Sequence, residues 1–118
     1  MTRASRQKAE SWGRRAEFRA RLALMLKGYR VLEHRCRLAS GEIDLIVRRG
    51  GVVAAVEVKA RALHDDEAIS GRQWYRIART LDLYLTRHPQ LANLERRFDR
   101  VDVAPWHWPR HACDVWRP

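Results

Sequence analysis

The chain is 118 residues long, a length that fits one domain and leaves no room for two. Hydrophobic residues make up 46% of it and five are Trp, so the chain can bury a core, which excludes a disordered tail. Lys and Arg number 24 against 14 Asp and Glu, and a charge of +10 on so small a domain points to a polyanionic partner, most often nucleic acid, although a merely basic protein is the alternative.

A long helix is predicted over Ser5–Lys27, where Gly28 follows as a left-handed cap. Large apolar residues recur along it at helical spacing, namely Phe18, Leu22, Met25 and Leu26. A second stripe is made of small residues, namely Gly13, Ala16, Ala20 and Ala23. This second stripe would let the helix lie close against a sheet, and Glu17 borders it.

The remaining elements alternate between strand and helix patterns. Three strands are predicted over Tyr29–Leu38, Glu42–Arg48 and Val52–Ala60. A second helix over Ser70–Arg87 and a strand over Phe98–Ala104 follow. The tail from about residue 105 is rich in Trp and has no predicted regular element. The order α-β-β-β-α-β indicates a single α/β domain over residues 1–118 with a mixed sheet flanked by helices.

The glycine pair Gly50 and Gly51 between the second and third strands is a hairpin signal that also fixes a register. If the two glycines form the loop, Arg49 faces Val52, and each step back along the second strand pairs with one step forward along the third. Asp44 then lies across from Glu57, and Glu42 across from Lys59. Because residues two apart share a face of a strand, all four side chains are expected on one side of the sheet.

Two facing carboxylates repel each other and destabilise a sheet, so packing gives no reason for Asp44 and Glu57. A divalent cation gives one, because Mg²⁺ and Mn²⁺ prefer hard oxygen ligands. Lys59 could then stabilise the transition state of a phosphoryl transfer or orient the attacking water. The alternatives are two solvated carboxylates on an exposed face and an ordinary ion pair between Glu42 and Lys59.

These residues stand in a known pattern. The segments Gly41–Ile46 (GEIDLI) and Val56–Arg61 (VEVKAR) closely resemble the signature of the YraN-like family of uncharacterised bacterial proteins. Gly13–Glu17 resembles the first-helix motif of that family, and Arg100–Val103 resembles its last-strand motif. The family is in turn similar to the PD-(D/E)xK nucleases, which have the restriction-endonuclease-like fold and include Holliday junction resolvases.

The resemblance implies a restriction-endonuclease-like core with a metal-dependent nuclease site. Asp44 and Glu57 would be ligands of Mg²⁺ or Mn²⁺, Lys59 would be the catalytic lysine, and Glu17 would add a carboxylate from the first helix. For Glu17, a surface position on a charged helix is the alternative. A homodimer acting on branched DNA is implied by analogy with the resolvases only.

Gln73 departs from the family pattern, in which many members have Lys at this point of the second helix. Related nucleases often place Gln or Lys there in contact with the site, so Gln73 is a candidate catalytic residue. The alternative is that Ser70 and Gln73 form a capping box and Gln73 only closes the start of the helix. Asp99 and Asp102 compete for the last-strand aspartate of the family; Asp102 aligns better, and a structural role is expected for either.

Four arginines are the predicted contacts to the nucleic-acid backbone: Arg14, Arg15, Arg61 and Arg72. A solvated basic face is equally consistent with those on the first helix. His107, His111 and Cys113 are only a weak indication of a soft-metal site, because no CxxC partner accompanies them. The tail tryptophans either stack on bases, pack back over the core or form a docking surface.

Two cysteines are too few for a secreted, disulfide-stapled domain, and Met1–Arg21 lacks the apolar stretch of a signal peptide. The longest apolar run, Leu22–Leu26, is far short of a membrane span. We therefore expect a soluble cytoplasmic protein with no membrane partner. No Gly-rich phosphate loop or dinucleotide fingerprint is present, so no organic cofactor is expected.

The function predicted from the sequence is therefore Mg²⁺- or Mn²⁺-dependent hydrolysis of DNA phosphodiester bonds. One alternative is a nucleic-acid-binding module that keeps the fold and cleaves nothing. Another is a structural component of a larger assembly that docks through its tail tryptophans.

Overall fold

The computed structural model describes residues 2–61 and 68–118, and within them a mixed five-stranded sheet lies between two helices. The helices are α1 (Arg3–Leu26) and α2 (Gly71–Thr86), with a short 3₁₀ turn at Pro89–Leu91. The strands are β1 (Arg30–Leu38), β2 (Gly41–Arg49), β3 (Val52–Ala60), β4 (Glu95–Val103) and β5 (Arg110–Ala112). The predicted α/β class and the order α-β-β-β-α-β are confirmed, and β5 is an addition.

The strands lie side by side in chain order, β1-β2-β3-β4-β5. All neighbours are antiparallel except β3 and β4, which run parallel from Val52↔Glu95 to Ala60↔Val103. A parallel pair needs a crossover connection, and α2 is part of the one between β3 and β4. The hairpin between β2 and β3 turns at Gly50, whose φ of 57° lies in the left-handed region that glycine adopts without strain.

Each face of the sheet is covered by one helix. On one face the small residues Ala16 and Ala20 of α1 pack against β-branched and Leu residues of the sheet, so the predicted close approach is confirmed. On the other face Trp74, Ile77 and Leu81 of α2 pack against a second buried cluster. The predicted stripe of large apolar residues on α1 lies outside both clusters, and Phe18 is 51% exposed, whereas Leu24 is fully buried in the first cluster.

Both helices begin at side-chain caps that the sequence supplies. Thr2 Oγ1 accepts a hydrogen bond from the Ser5 amide at α1, and Ser70 Oγ accepts one from the Gln73 amide at α2. Such caps satisfy amide groups that have no partner in the first turn of a helix. The predicted bounds of α2 therefore differ from the observed ones only by the capping residues Ser70 and Arg87.

The strand predicted over Phe98–Ala104 begins three residues earlier, because Glu95, Arg96 and Arg97 already pair with the start of β3. The tail is also more ordered than predicted. β5 pairs with β4 through Arg100↔Ala112, Val101↔His111 and Asp102↔Arg110. Beyond it, Trp116 stacks on Trp74 with ring centroids 6.1 Å apart, so this tryptophan packs back over the core.

No helix in residues 2–61 and 68–118 is long and apolar enough to cross a membrane.

Candidate metal and nucleic-acid site

The candidate site lies where β2 and β3 separate. These strands pair from Arg49↔Val52 to Leu45↔Val56, in the register that the hairpin predicts. Beyond Leu45 and Val56 the pairing stops, although β2 extends back to Gly41 and β3 extends on to Ala60. The outer edges of the two strands stay paired, β2 with β1 and β3 with β4, so the sheet splits only between them.

Asp44 fills the beginning of this split. Its Oδ2 accepts a hydrogen bond of 2.8 Å from the amide of Val58, which replaces the backbone bond that the ladder no longer provides. Strand β2 rotates about its own axis here. The evidence is that Ile43 packs on the α2 side of the sheet and Leu45 on the α1 side. In a regular strand these two side chains would share a face.

The neighbouring strand β1 is also irregular at this point. Arg35 stands opposite Asp44, between His34 and Cys36, which pair with Leu45 and Ile43. Its φ of 55° lies in the left-handed region, which is uncommon for a residue other than glycine. The expectation that Asp44, Glu57, Glu42 and Lys59 project from one face therefore needs correction, because the strand rotates at Asp44.

Glu57 is buried, with 7% of its surface exposed, and it lies against Asp44. Burial raises the pKa of the Glu57 carboxyl well above its ordinary value, and the hydrogen bond and negative charge of Asp44 raise it further. The positive charge of Lys59 and a hydrogen bond from Gln73 oppose this rise without cancelling it. This raised pKa favours a protonated Glu57 carboxyl beside Asp44.

Gln73 reaches this pair from α2. Its backbone amide donates to Ser70 Oγ at 3.1 Å, as in a capping box. Its side-chain amide does not close the box, because Nε2 donates instead to Glu57 Oε2. Of the two readings of Gln73, its side-chain position agrees with contact at the site, while Ser70 forms the cap.

Lys59 and Glu42 do not face each other. The ladder between β2 and β3 ends before it reaches them, and the Glu42 carboxylate lies 3.5 Å from Arg37 Nε. Lys59 is half-buried on β3, two residues beyond Glu57, and its charge acts on that carboxyl. The predicted alternative of an ion pair between Glu42 and Lys59 was wrong.

Glu17 lies on α1 with its side chain turned towards the split, at 14% exposure. Its carboxylate is 3.4 Å from Arg35 Nε and 3.9 Å from His34 Nδ1. Glu17 and Asp44 line the same cleft of about 470 Å³, which could hold several water molecules at about 30 Å³ each. Glu17 is therefore not a fully solvated surface residue.

Two clefts flank the acid pair, and arginines line both. The first contains Asp44 and Glu17 together with Arg14, Arg35 and Arg37. The second, of about 330 Å³, contains Gln73 and Glu42 together with Arg72 and Arg76. Glu57 connects them, because it contacts Asp44 of the first cleft and Gln73 of the second.

The four predicted phosphate contacts therefore fall in different places. Arg14 lines the first cleft and Arg72 the second. Arg15 is exposed, with its guanidinium 5.7 Å from the centre of the Trp12 ring. Arg61 lines neither cleft, and its Nε donates to Asp102 Oδ1 at 2.9 Å.

Sequence reasoning missed three arginines that line the clefts, namely Arg35, Arg37 and Arg76. Arg76 stands one helical turn after Arg72 on α2, a spacing that could have indicated a shared face. Arg35 and Arg37 alternate on β1, but nothing in the sequence shows that α1 leaves this part of the strand open. The last-strand acids have structural partners, Arg97 for Asp99 and Arg100 for Asp102.

Comparison with known proteins identifies the family. The model of the uncharacterised protein family UPF0102 matches residues 16–103 of the chain. A UPF0102 protein of Parvibaculum lavamentivorans is 51% identical over 108 residues, which cover 90% of this chain and 81% of the relative. One of Chelativorans sp. is 48% identical over 116 residues, covering 97% and 94%, and one of Maricaulis maris is 46% identical over 120 residues, covering 100% and 94%. The chain therefore belongs to UPF0102, the YraN-like family that the motifs around Asp44 and Glu57 resemble.

Proposed function

We propose that this protein is a nuclease that hydrolyses DNA phosphodiester bonds with Mg²⁺ or Mn²⁺. The observation that carries the proposal is the buried contact between Asp44 and Glu57, in which Asp44 adds to the rise in the pKa of Glu57. Fold stability alone does not require such a pair. A divalent cation would relieve it, because its charge takes the place of the proton on Glu57 and stabilises the carboxylate.

The donor set fits a hard cation. Asp44 and Glu57 offer carboxylate oxygens in the split, and Glu17 offers a third carboxylate in the same cleft. All three offered ligands are carboxylates, so the chemistry favours Mg²⁺ or Mn²⁺ over softer metals. The cleft leaves room for water and for a phosphate oxygen.

Each side chain then has a distinct task. When bound, the cation supplies the charge that lowers the pKa of a coordinated water and polarises the phosphoryl group. Asp44 is held in place by the Val58 amide, and Glu57 by the Gln73 amide, so both carboxylates are fixed before substrate arrives. Lys59 lies next to Glu57 and would place its ammonium where negative charge develops on the phosphate.

The clefts support a polyanionic substrate. Arginines line both sides of the acid pair, and the whole chain has a charge of +10. Such contacts grip the phosphate backbone with little sequence preference and weaken as salt rises. The similarity of the family to resolvases makes branched DNA the first substrate to test, and a homodimer stays a prediction from the same similarity.

The test is a cleavage assay on linear, single-stranded and branched DNA, with RNA versions of each, in Mg²⁺, Mn²⁺ or EDTA. We expect cleavage that needs the cation and that falls by at least about 100-fold in Asp44→Asn and in Lys59→Met. Matched controls are Asp82→Asn and Lys8→Met, because both residues are exposed and neither lines the two clefts.

Two outcomes would contradict the proposal. Cleavage that persists in Asp44→Asn at the rate of Asp82→Asn would indicate a contaminating nuclease. Tight binding of DNA with no cleavage under any cation would instead favour the non-catalytic binding module.

A further inference from the structure

A second group of metal-ligating side chains lies on β4, on β5 and just after β5, and its acid, Asp99, is on the opposite face of the sheet from Glu57. His111 of β5 is beside Asp99 of β4, with Nε2 and Oδ2 2.8 Å apart. Cys113 follows β5, and its Sγ is 3.5 Å from the same Nε2. One ligand atom from each of the three residues lies within 4.8 Å of the other two.

The chain holds Cys113 there by folding the tail back on β4. The amide of Asp114 donates to Asp99 Oδ1 at 3.0 Å, and the amide of Val115 donates to the carbonyl of Phe98 at 2.9 Å. Asp114 has a φ of 55°, a left-handed conformation that Asp tolerates better than most residues. The position of the thiol is therefore set by the pairing of β5 before it and by these two hydrogen bonds after it.

We propose that Asp99, His111 and Cys113 bind a borderline-soft divalent cation of the zinc class, with a fourth position open to solvent. Tetrahedral Zn²⁺ with ligands at about 2.0–2.3 Å separates those ligand atoms by roughly 3.3–3.8 Å. The distance between His111 Nε2 and Cys113 Sγ is already 3.5 Å, and the 2.8 Å contact between Nε2 and Asp99 Oδ2 must lengthen. Asp99 and His111 are buried, while Cys113 is exposed and provides the way in.

The surrounding contacts suit a metal ligand. Arg97 donates from Nε to Asp99 Oδ1 and from Nη2 to Oδ2, both at 2.8 Å, and these bonds orient the carboxylate. Zn²⁺ would replace only the proton that His111 and Asp99 share, so the other three bonds to Asp99 persist. Groups that donate hydrogen bonds to a ligand in this way fix its orientation in known metal sites.

Lys27 opposes binding. Its Nζ is 2.6 Å from His111 Nδ1, so Nδ1 accepts a hydrogen bond and Nε2 bears the ring proton. A metal on Nε2 moves that proton to Nδ1, which then cannot accept from the ammonium. Lys27 is exposed and must turn away, and it therefore competes with the cation.

The experiment uses Co²⁺ as a spectroscopic probe for the zinc class, since a cobalt–thiolate bond gives a charge-transfer absorption band. We expect one equivalent of Co²⁺ to give that band in the wild-type chain and Zn²⁺ to abolish it by displacement. Cys113→Ser is exposed, so it should stay folded and lose the band, while Cys36→Ser should keep it. Lys27→Met should bind at least about tenfold more tightly, because a positive charge beside the site is removed.

A wild-type chain that gives no thiolate band, or a band that persists in Cys113→Ser, would overturn the proposal. Equal Co²⁺ affinity of Lys27→Met and wild type would also overturn it, because Lys27 would then not face the ligand nitrogen. Circular dichroism on each variant confirms that the fold is intact. Asp44→Asn should bind Co²⁺ at this site unchanged, which keeps the result separate from the nuclease proposal.

Discussion

Two buried acids on neighbouring strands, Glu57 of β3 and Asp99 of β4, have opposite electrostatic surroundings. Their exposed fractions are 7% and 0%. Asp99 pairs with Val56, the residue before Glu57, so alternation puts the two acids on opposite faces of the sheet. Burial alone would raise the pKa of both.

At Asp99 the fold supplies the missing charge. Burial acts to raise the pKa of Asp99, but hydrogen bonds from His111, Arg97 and the Asp114 amide outweigh it and lower the pKa to about 2. At Glu57 the hydrogen bond and charge of a second acid, Asp44, add to the effect of burial, and the pKa is raised. The same sheet neutralises one carboxylate with its own arginine and leaves the other to a proton or a cation.

The largest expected effect comes from removing the negative charge of Asp99, which pairs with Arg97. Asp99→Asn should destabilise the metal-free protein by about 3–5 kcal/mol, because the Arg97 guanidinium loses its partner in a site that is largely buried. Urea unfolding in EDTA measures this. Asp82→Asn removes an exposed carboxylate that pairs with Arg96, so it should cost less than about 1 kcal/mol. Equal losses in the two variants would mean that burial does not distinguish these pairs.

The opposite sign is expected at the acid pair. Glu57→Gln should stabilise the metal-free protein at pH 8 by about 2–3 kcal/mol, because the amide keeps the shape and needs no proton. The same variant should lose the stabilisation that Mg²⁺ gives to the wild type. Glu95→Gln on exposed β4 surface is the matched control, with no change expected in either quantity. If Glu57→Gln were less stable than wild type at pH 8, the contact between Glu57 and Asp44 would not be what destabilises the metal-free protein.

The pH dependence of stability should show both acids. The folded-state pKa of Asp99 is lowered from 3.8 to about 2, so its contribution of about 2 kcal/mol is present above pH 3.8 and is lost as pH falls towards 2. The folded-state pKa of Glu57 is raised from 4.5, so its contribution is present below pH 4.5 and is lost as pH rises. Metal-free protein should therefore be most stable in mild acid.

Unfolding by urea from pH 2 to pH 9, in EDTA and in Mg²⁺, checks this. Mg²⁺ should flatten the decline above pH 4.5 and leave the acid arm unchanged, because only the acid pair exchanges its proton for the cation. If stability declines equally in EDTA and in Mg²⁺ as pH rises above 4.5, the assignment of Glu57 as a ligand is contradicted.

The proximity of Asp44 and Glu57 can be predicted from the sequence better than the partners of Asp99 can. The glycine turn and the alternation of β2 and β3 are local signals, so β3 is predicted with its observed bounds and the register holds as far as Leu45 and Val56. The rotation of β2 at Asp44 depends on the separation of two strands, which no local pattern encodes. Asp99 obtains its charge from Arg97 two residues earlier and from His111 on a three-residue strand too short to show alternation.

The smallest expected effect separates the two roles at the start of α2. The side-chain amide of Gln73 holds Glu57 and lowers the pKa of its carboxyl. Gln73→Ala removes this contact, so the Glu57 carboxyl should ionise less readily and the site should need more Mg²⁺. Ser70→Ala removes the cap that the Gln73 backbone uses, and it leaves the side-chain amide in place. Both variants should cost about 1 kcal/mol of stability.

Only Gln73→Ala should raise the Mg²⁺ concentration at which half of the added stability appears. Thermal unfolding over a Mg²⁺ titration compares the two midpoints. If Ser70→Ala shifts the midpoint as far as Gln73→Ala does, the order of the helix start governs binding and the amide contact to Glu57 does not. If only the Gln73→Ala midpoint moves, Gln73 acts on the cation through Glu57, because Ser70→Ala loses the same stability without changing the midpoint.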